Sequence, residues 1–189
     1  MERETRIFWT IIAILLGASL FWGLGAEARR RKAQHGDNVA LKSGEHVTLL
    51  HVLTGDTLMA RTEEGTRVVI HLLGVRALAP RRTRHGSVAV EVLQNLVKDQ
   101  PLRVLLPATG NDPASGRTVA ELLVKDQNVG LMLIKQGLGI VDTRYPFPAL
   151  SSYLDNQNKA REAHRGLWSD PEAIARADAL ARAWRKESS

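Results

Sequence analysis

The stretch Val47–Val75 constrains the fold of this chain more than any other. It carries three β-branched or leucine-rich runs, Val47–Leu53, Leu58–Thr62 and Arg67–Leu73. The breaks between them are Thr54-Gly55-Asp56-Thr57 and Glu63-Glu64-Gly65-Thr66. Apolar runs of this length, separated by glycine-containing turns, predict a three-stranded antiparallel meander. A meander on its own leaves unpaired edges, so it must close on itself or be covered.

The sequence downstream offers the pieces for closure. Val75–Gly86 reads as a basic loop, and a helix is expected from about Ser87 to Lys98, with Val88, Val92 and Leu96 on one face and Ala89 and Leu93 beside it. Pro101 opens and Pro107 closes a fourth strand, Leu102–Leu106. A turn cluster at Asn111–Gly116 precedes a fifth strand, Thr118–Val124. Gly130–Gln136 reads as a short apolar helix stopped by Gly137. A longer helix spans about Ala149–Arg165, with Leu150, Tyr153, Leu154, Ala160 and Ala163 as its inner stripe. Ser169-Asp170-Pro171-Glu172 has the form of a capping box with proline at the first helical position. The helix it starts runs to about Lys186 and sets Ile174, Ala177, Leu180, Ala181 and Trp184 on one side. That side needs cover, either from its own domain or from a partner.

The N-terminus carries a different signal. From Ile7 to Gly25 there are nineteen residues without a charge. As a helix they would span roughly 28 Å, close to a bilayer core. Trp9 and Trp22 lie near the two ends, and Arg29, Arg30, Arg31 and Lys32 follow. A cleaved signal peptide ending at Ala26-Glu27-Ala28 is the competing reading. The length of the run and the arginines directly after it favour an uncleaved anchor. The basic run suits anionic lipid headgroups and points the following domain to the cytoplasmic or matrix side, without excluding the opposite one. The organisation expected is a tail at 1–6, an anchor at 7–25, a basic juxtamembrane linker at 26–44, a folded domain at 45–169 and a C-terminal helix at 170–189. The net charge of +6 favours anionic partners, and the absence of cysteine excludes disulfides and thiolate metal sites.

Gly55-Asp56-Thr57, His71-Leu72-Leu73-Gly74-Val75, Ser115–Ala120, Lys135–Gly139 and Ala160–Trp168 come in a fixed order. In that order they resemble the staphylococcal (thermo)nuclease-like family, over about Glu45–Ser169. The resemblance implies a five-stranded OB-type β-barrel carrying helices. It also implies a scheme of phosphodiester hydrolysis in which calcium is held by carboxylates, a glutamate activates water and two arginines stabilise charge.

Position by position, that scheme is depleted. Asp56 matches the first metal-binding aspartate, although an aspartate is also a common choice for a hairpin turn. The first arginine position is His71, the second metal ligand falls on Arg76 and the general base on Ala79. No Asp or Glu lies between Gly65 and Val90, so a slip in register restores neither. Arg117 matches the second arginine and Tyr145 a phosphate-side tyrosine. One carboxylate beside a cation is a poor calcium site. The remnants Asp56 and Arg117 are therefore expected not to catalyse. The histidines form no paired metal motif, so no metal or other cofactor is expected; calcium at Asp56 belongs only to the alternative of a rearranged endonuclease. Arg67, Arg76, Arg81, Arg82, Arg84, Arg117 and Tyr145 are left as candidate anion-binding residues, with His85 beside them. The expectation is a membrane-anchored accessory or structural subunit with an anionic partner. Nucleic acid is the less favoured partner, because stacking aromatics are few.

Overall fold

A computed structural model describes residues 41–80, 83–107, 118–144 and 146–187. The expected anchor and the headgroup residues Arg29, Arg30, Arg31 and Lys32 lie outside the described residues, as do Arg81, Arg82, Arg117 and Tyr145. Among the described residues no helix is long and apolar enough to cross a membrane.

The meander forms as β1 (His46–Thr54), β2 (Thr57–Thr62) and β3 (Arg67–Leu72). β4 is the short Val75–Arg76 strand. It is followed by helix α1 (Arg84–Val97), β5 (Leu102–Leu105), β6 (Thr118–Val124) and β7 (Gln127–Asn128). Helix α2 (Val129–Lys135), β8 (Ile140–Val141), α3 (Leu150–Glu162), a 3-10 turn at Gly166–Ser169 and α4 (Pro171–Glu187) complete the described chain.

The strand order β3-β2-β1-β5-β6 is closed by a parallel pairing of β3 with β6, Ile70 to Thr118 and Leu72 to Ala120. Closure removes the exposed edges that the meander would otherwise present. β1 serves two neighbours. It pairs with β2 along most of its length, and its first residues, His46 and Val47, pair with Arg103 and Leu102 of β5. Register shifts at Leu49/His51 and Val52/Thr54 bend it, as a strand turning a barrel corner must.

Two buried clusters follow from this layout. Leu58, Ile70, Leu102, Val104 and Leu122 fill the barrel, and Ala89, Leu93 and Val97 of α1, Leu133 and Ile134 of α2 and Tyr153 of α3 cap it. The second cluster gathers Leu78, Ile140, Ala160, Leu167, Trp168, Ala173, Ala177 and Trp184, with Ile174 and Leu180 partly buried against it. Ala173, Ala177 and Trp184 of α4 are therefore buried against its own domain, with Ile174 and Leu180 partly so.

Several local expectations need correction. α1 starts at Arg84, not Ser87, because Thr83 caps it: the Thr83 hydroxyl accepts from the amide of Gly86 at 3.0 Å. Its buried face is Gly86, Ala89, Leu93 and Val97, one residue round from the Val88-Val92-Leu96 row, which is only half-buried. Ala163 is exposed, since α3 gives way after Glu162 and His164 turns out with φ 49°. At the last helix Asp170 is the cap, its Oδ1 accepting from the Glu172 amide at 2.9 Å. Ser169 donates back to the carbonyl of Gly166 instead.

Candidate functional site

The site grows from the β1–β2 turn. Gly55 sits against α1 so closely that a Cβ there would lie 2.5 Å from the Cβ of Ala89 and 2.8 Å from that of Ala77. Only a residue without a side chain lets the turn press onto the helix. The next residue, Asp56, is consequently driven inward and is 4% exposed.

Its carboxylate is closely engaged. Oδ1 accepts from the hydroxyl of Thr54 and, at 3.0 Å, from that of Thr57. Oδ2 accepts from the backbone amide of Ala77 at 3.1 Å, and Nη1 of Arg76 lies 3.8 Å away. The Asp56 carbonyl accepts from the Leu72 amide at 2.9 Å. Asp56 thus joins the β1–β2 turn to the end of β3 and to the residues after β4. Buried carboxylates require this density of donors.

His71 lies opposite Thr57 in the antiparallel register and beside Val119 of β6. Its Nδ1 is 2.9 Å from the Thr57 hydroxyl oxygen. That hydroxyl has one proton, already given to Asp56, so its lone pairs face a proton on Nδ1. The half-buried His71 is thereby held in the barrel wall as part of an Asp56–Thr57–His71 chain.

The other side of the mouth is the segment after β4. Arg76 pairs with Ile140 of β8, and its side chain is 40% exposed above Asp56. Leu78 turns into the second cluster, while Ala79 is exposed. The chain then folds back on the first turn of α1. The amide and hydroxyl of Thr83 both donate to the Ala79 carbonyl, at 3.2 and 3.3 Å, and the Ser87 hydroxyl donates to that of Pro80 at 2.9 Å. Gly86 permits this approach: a Cβ there would stand 2.5 Å from the carbonyl oxygen of Leu78.

Of the candidate anion-binding residues, Arg76 and Arg84 flank this segment, and Arg84 is exposed. Arg67 is not with them. It occupies the first position of β3, opposite Arg61, roughly 16 Å along the strand from Leu72. Nor is His85 free for an anion, because its Nε2 lies 3.2 Å from Oδ2 of Asp170. Among the described residues no three His, Asp or Glu side chains come together as a metal ion would require.

Sequence reasoning missed Thr54 and Thr57 as partners of Asp56, although both flank it in the turn. It also missed the role of Leu78, an isolated apolar residue in a basic stretch, and of Asp170. Its carboxyl sits below the ordinary 3.8, chiefly because it accepts from the Glu172 amide, with the His85 side chain adding to the effect.

Comparison with known proteins places this geometry. Residues 69–170 match the family described as staphylococcal nuclease homologue. The matched span includes His71, Arg76 and Ala79, and it starts after Asp56. Among curated proteins, the chain is similar to one from Haemophilus influenzae (strain Rd KW20) called "Uncharacterized endonuclease", with 28% identity over 127 residues covering 67% of each chain.

Proposed function

The chain belongs to the staphylococcal nuclease homologue family, and from that premise we propose that it is a non-hydrolytic member. On this reading it is a membrane-anchored OB-type module, it binds an anionic partner at its cationic mouth, and it serves as an accessory subunit of a membrane assembly.

The observation that carries the reading is the environment of Asp56. Its oxygens already accept from two hydroxyls and one amide and face the Arg76 guanidinium. A calcium ion would have to displace these donors and sit beside a cation, and it prefers six to eight oxygens. The residue at the expected general-base position, Ala79, has no proton to move. What remains at the mouth can attract an oxyanion, and Arg76 and Arg84 can bind one. It cannot activate water.

Two measurements test the proposal. Purified full-length chain should leave plasmid and single-stranded DNA intact with calcium present. From mildly solubilised membranes it should co-migrate with other subunits in salt that strips nucleic acid. Calcium-dependent cleavage that disappears in Asp56→Ala would overturn it. The competing reading, a calcium-dependent endonuclease with a rearranged site, is favoured by the name of the Haemophilus protein, and would need carboxylates contributed from elsewhere in the chain.

A further inference from the structure

Arg67 is a candidate cation that the mouth does not use. It stands directly opposite Arg61 of β2, which is itself opposite Thr48 of β1. All three are exposed. Like charges in direct register across two strands repel each other. Among the described residues neither arginine has an acidic partner, although Glu63 and Glu64 stand exposed in the turn just beyond them.

The next row on the same face is apolar. Side chains alternate along a strand, and Leu58, Ala60, Val68 and Ile70 take the inside of the barrel. Met59 and Val69 are therefore turned outward, opposite each other and about 7 Å from the arginine row. Both are half-buried and belong to neither buried cluster. His51 of β1 stands opposite Met59. Two residues further on is Leu53, at 44% exposure the one large apolar side chain that is exposed among the described residues. On the outer wall of the meander, a pair of unneutralised cations thus borders an aliphatic strip.

We propose that this outer wall is a bilayer-docking surface: Arg61 and Arg67 hold anionic lipid headgroups, and Leu53, Met59 and Val69 enter the boundary between headgroups and acyl chains. The inference rests on the membrane-anchored reading above. Its cationic row lies at the opposite end of β3 from the Asp56 knot. Charge, size and composition select this occupant. Cations beside aliphatic groups match a surface whose anions lie directly above hydrocarbon. A stable protein contact uses roughly 20–30 residues a side, and this patch offers a handful. It presents no Phe, Tyr or Trp on which a base could stack. Residues 26–44, fully extended, reach at most about 65 Å, so an anchored domain stays near the bilayer and weak docking is enough. Each arginine at an anionic surface favours the docked state by about fivefold.

The chain has no cysteine, so a single introduced one reports a single place. Leu53→Cys carries an environment-sensitive fluorophore, and Asn158→Cys, exposed on α3, carries the same label as a control. The full chain is reconstituted into nanodiscs of phosphatidylcholine, with or without phosphatidylglycerol. The readouts are quenching by lipids spin-labelled on the acyl chain, and co-elution with the disc.

In anionic discs the label at 53 should be quenched and the label at 158 should not. High salt, or discs of phosphatidylcholine alone, should relieve the quenching. Arg61→Gln and Arg67→Gln should each lower the ratio of docked to undocked chain about fivefold. Glu63→Gln with Glu64→Gln should raise it. A label at 53 that stays in water in anionic discs, or is quenched no more than the label at 158, overturns the proposal. So does shielding at 53 that requires a second copy of the chain or added oligothymidylate, because the wall is then a protein or nucleic-acid interface. Co-elution tests the anchor separately and should survive both arginine substitutions. If the wild-type chain does not co-elute, the anchored reading fails on its own, and quenching at 53 by an excess of added anionic discs still decides whether the wall docks.

Discussion

At the β1–β2 turn, the groups that meet the Asp56 carboxylate come from its own hairpin, from Arg76 at the end of β4 and from the amide of Ala77 after it. Across the mouth, the carbonyls of Ala79 and Pro80 are met by Thr83 and Ser87, Leu78 is buried in the second cluster, and His85 meets the cap of the C-terminal helix. The turn is a polar knot: a buried carboxylate, two threonine hydroxyls, an amide and a guanidinium. The segment is anchored by a leucine and by two carbonyls folded onto a helix N-terminus. The contrast teaches that the two sides of one mouth can be held by different means, a buried carboxylate on one and apolar burial on the other. Asp56 is surrounded by donors, and the segment after β4, which has no carboxylate among its described residues, is held by the burial of Leu78.

The largest expected effect lies on the segment's side. Trp168 is 1% exposed in the cluster that receives Leu78. Trp168→Ala should cost about 3–5 kcal/mol and release both α4 and the segment. Urea denaturation together with exchange at Thr83–Ser87 checks both. Asp56→Ala is next. It strands two hydroxyls and the Ala77 amide, and should cost on the order of 2 kcal/mol. The comparison is sharpened by calcium. If the knot is structural, millimolar calcium leaves the melting temperature of both wild type and Asp56→Ala unchanged. A wild-type rise that the variant lacks would make Asp56 a metal ligand.

The two glycines distinguish the sides more finely. Gly55→Ala meets methyl groups of Ala89 and Ala77, whereas Gly86→Ala meets backbone carbonyls of Leu78 and Ala79. Each should cost about 1–3 kcal/mol by overpacking. Only the first has a side-chain remedy, so Ala89→Gly should recover part of the Gly55→Ala loss in thermal melts. No side-chain truncation nearby should recover Gly86→Ala.

The same contrast explains what the sequence reveals. Strand periodicity and turn residues place the meander and β6 almost to the residue, because the apolar runs are bounded by clear turn signals. The resemblance to the nuclease family points to the barrel. Asp56 can be read as a turn residue or a ligand, and only the positions of Thr54, Thr57 and Ala77 around it distinguish the two. The segment after β4 is less legible. Its arginines suggest a solvated basic loop, while Leu78 and His85 find their partners about ninety residues away. No local pattern encodes such pairings. The rotation of α1 by one residue has the same origin: Gly86 must face the segment's backbone, which a hydrophobic count does not weigh.

The smallest effect expected concerns the tie at Asp170. Its carboxyl is held below the ordinary 3.8 mainly by the Glu172 amide, then by His85. A depressed carboxylate contributes stability that is present above its unfolded value and is lost as pH falls through the folded one. The cap of α4 should therefore be intact at and above about pH 4 and weaken progressively below it. The Asp56 knot shares the same barrel but not this helix. Far-UV dichroism below pH 4 should then show loss of helix that Asp170→Asn, which caps without titrating, does not share. Exchange at the Leu72 and Ala77 amides, which report the knot, should be equal in the two proteins across the same range. If instead both proteins lose helix in parallel, the acid response belongs to other carboxylates, and the cap of α4 is no weaker at low pH than the turn it is compared with.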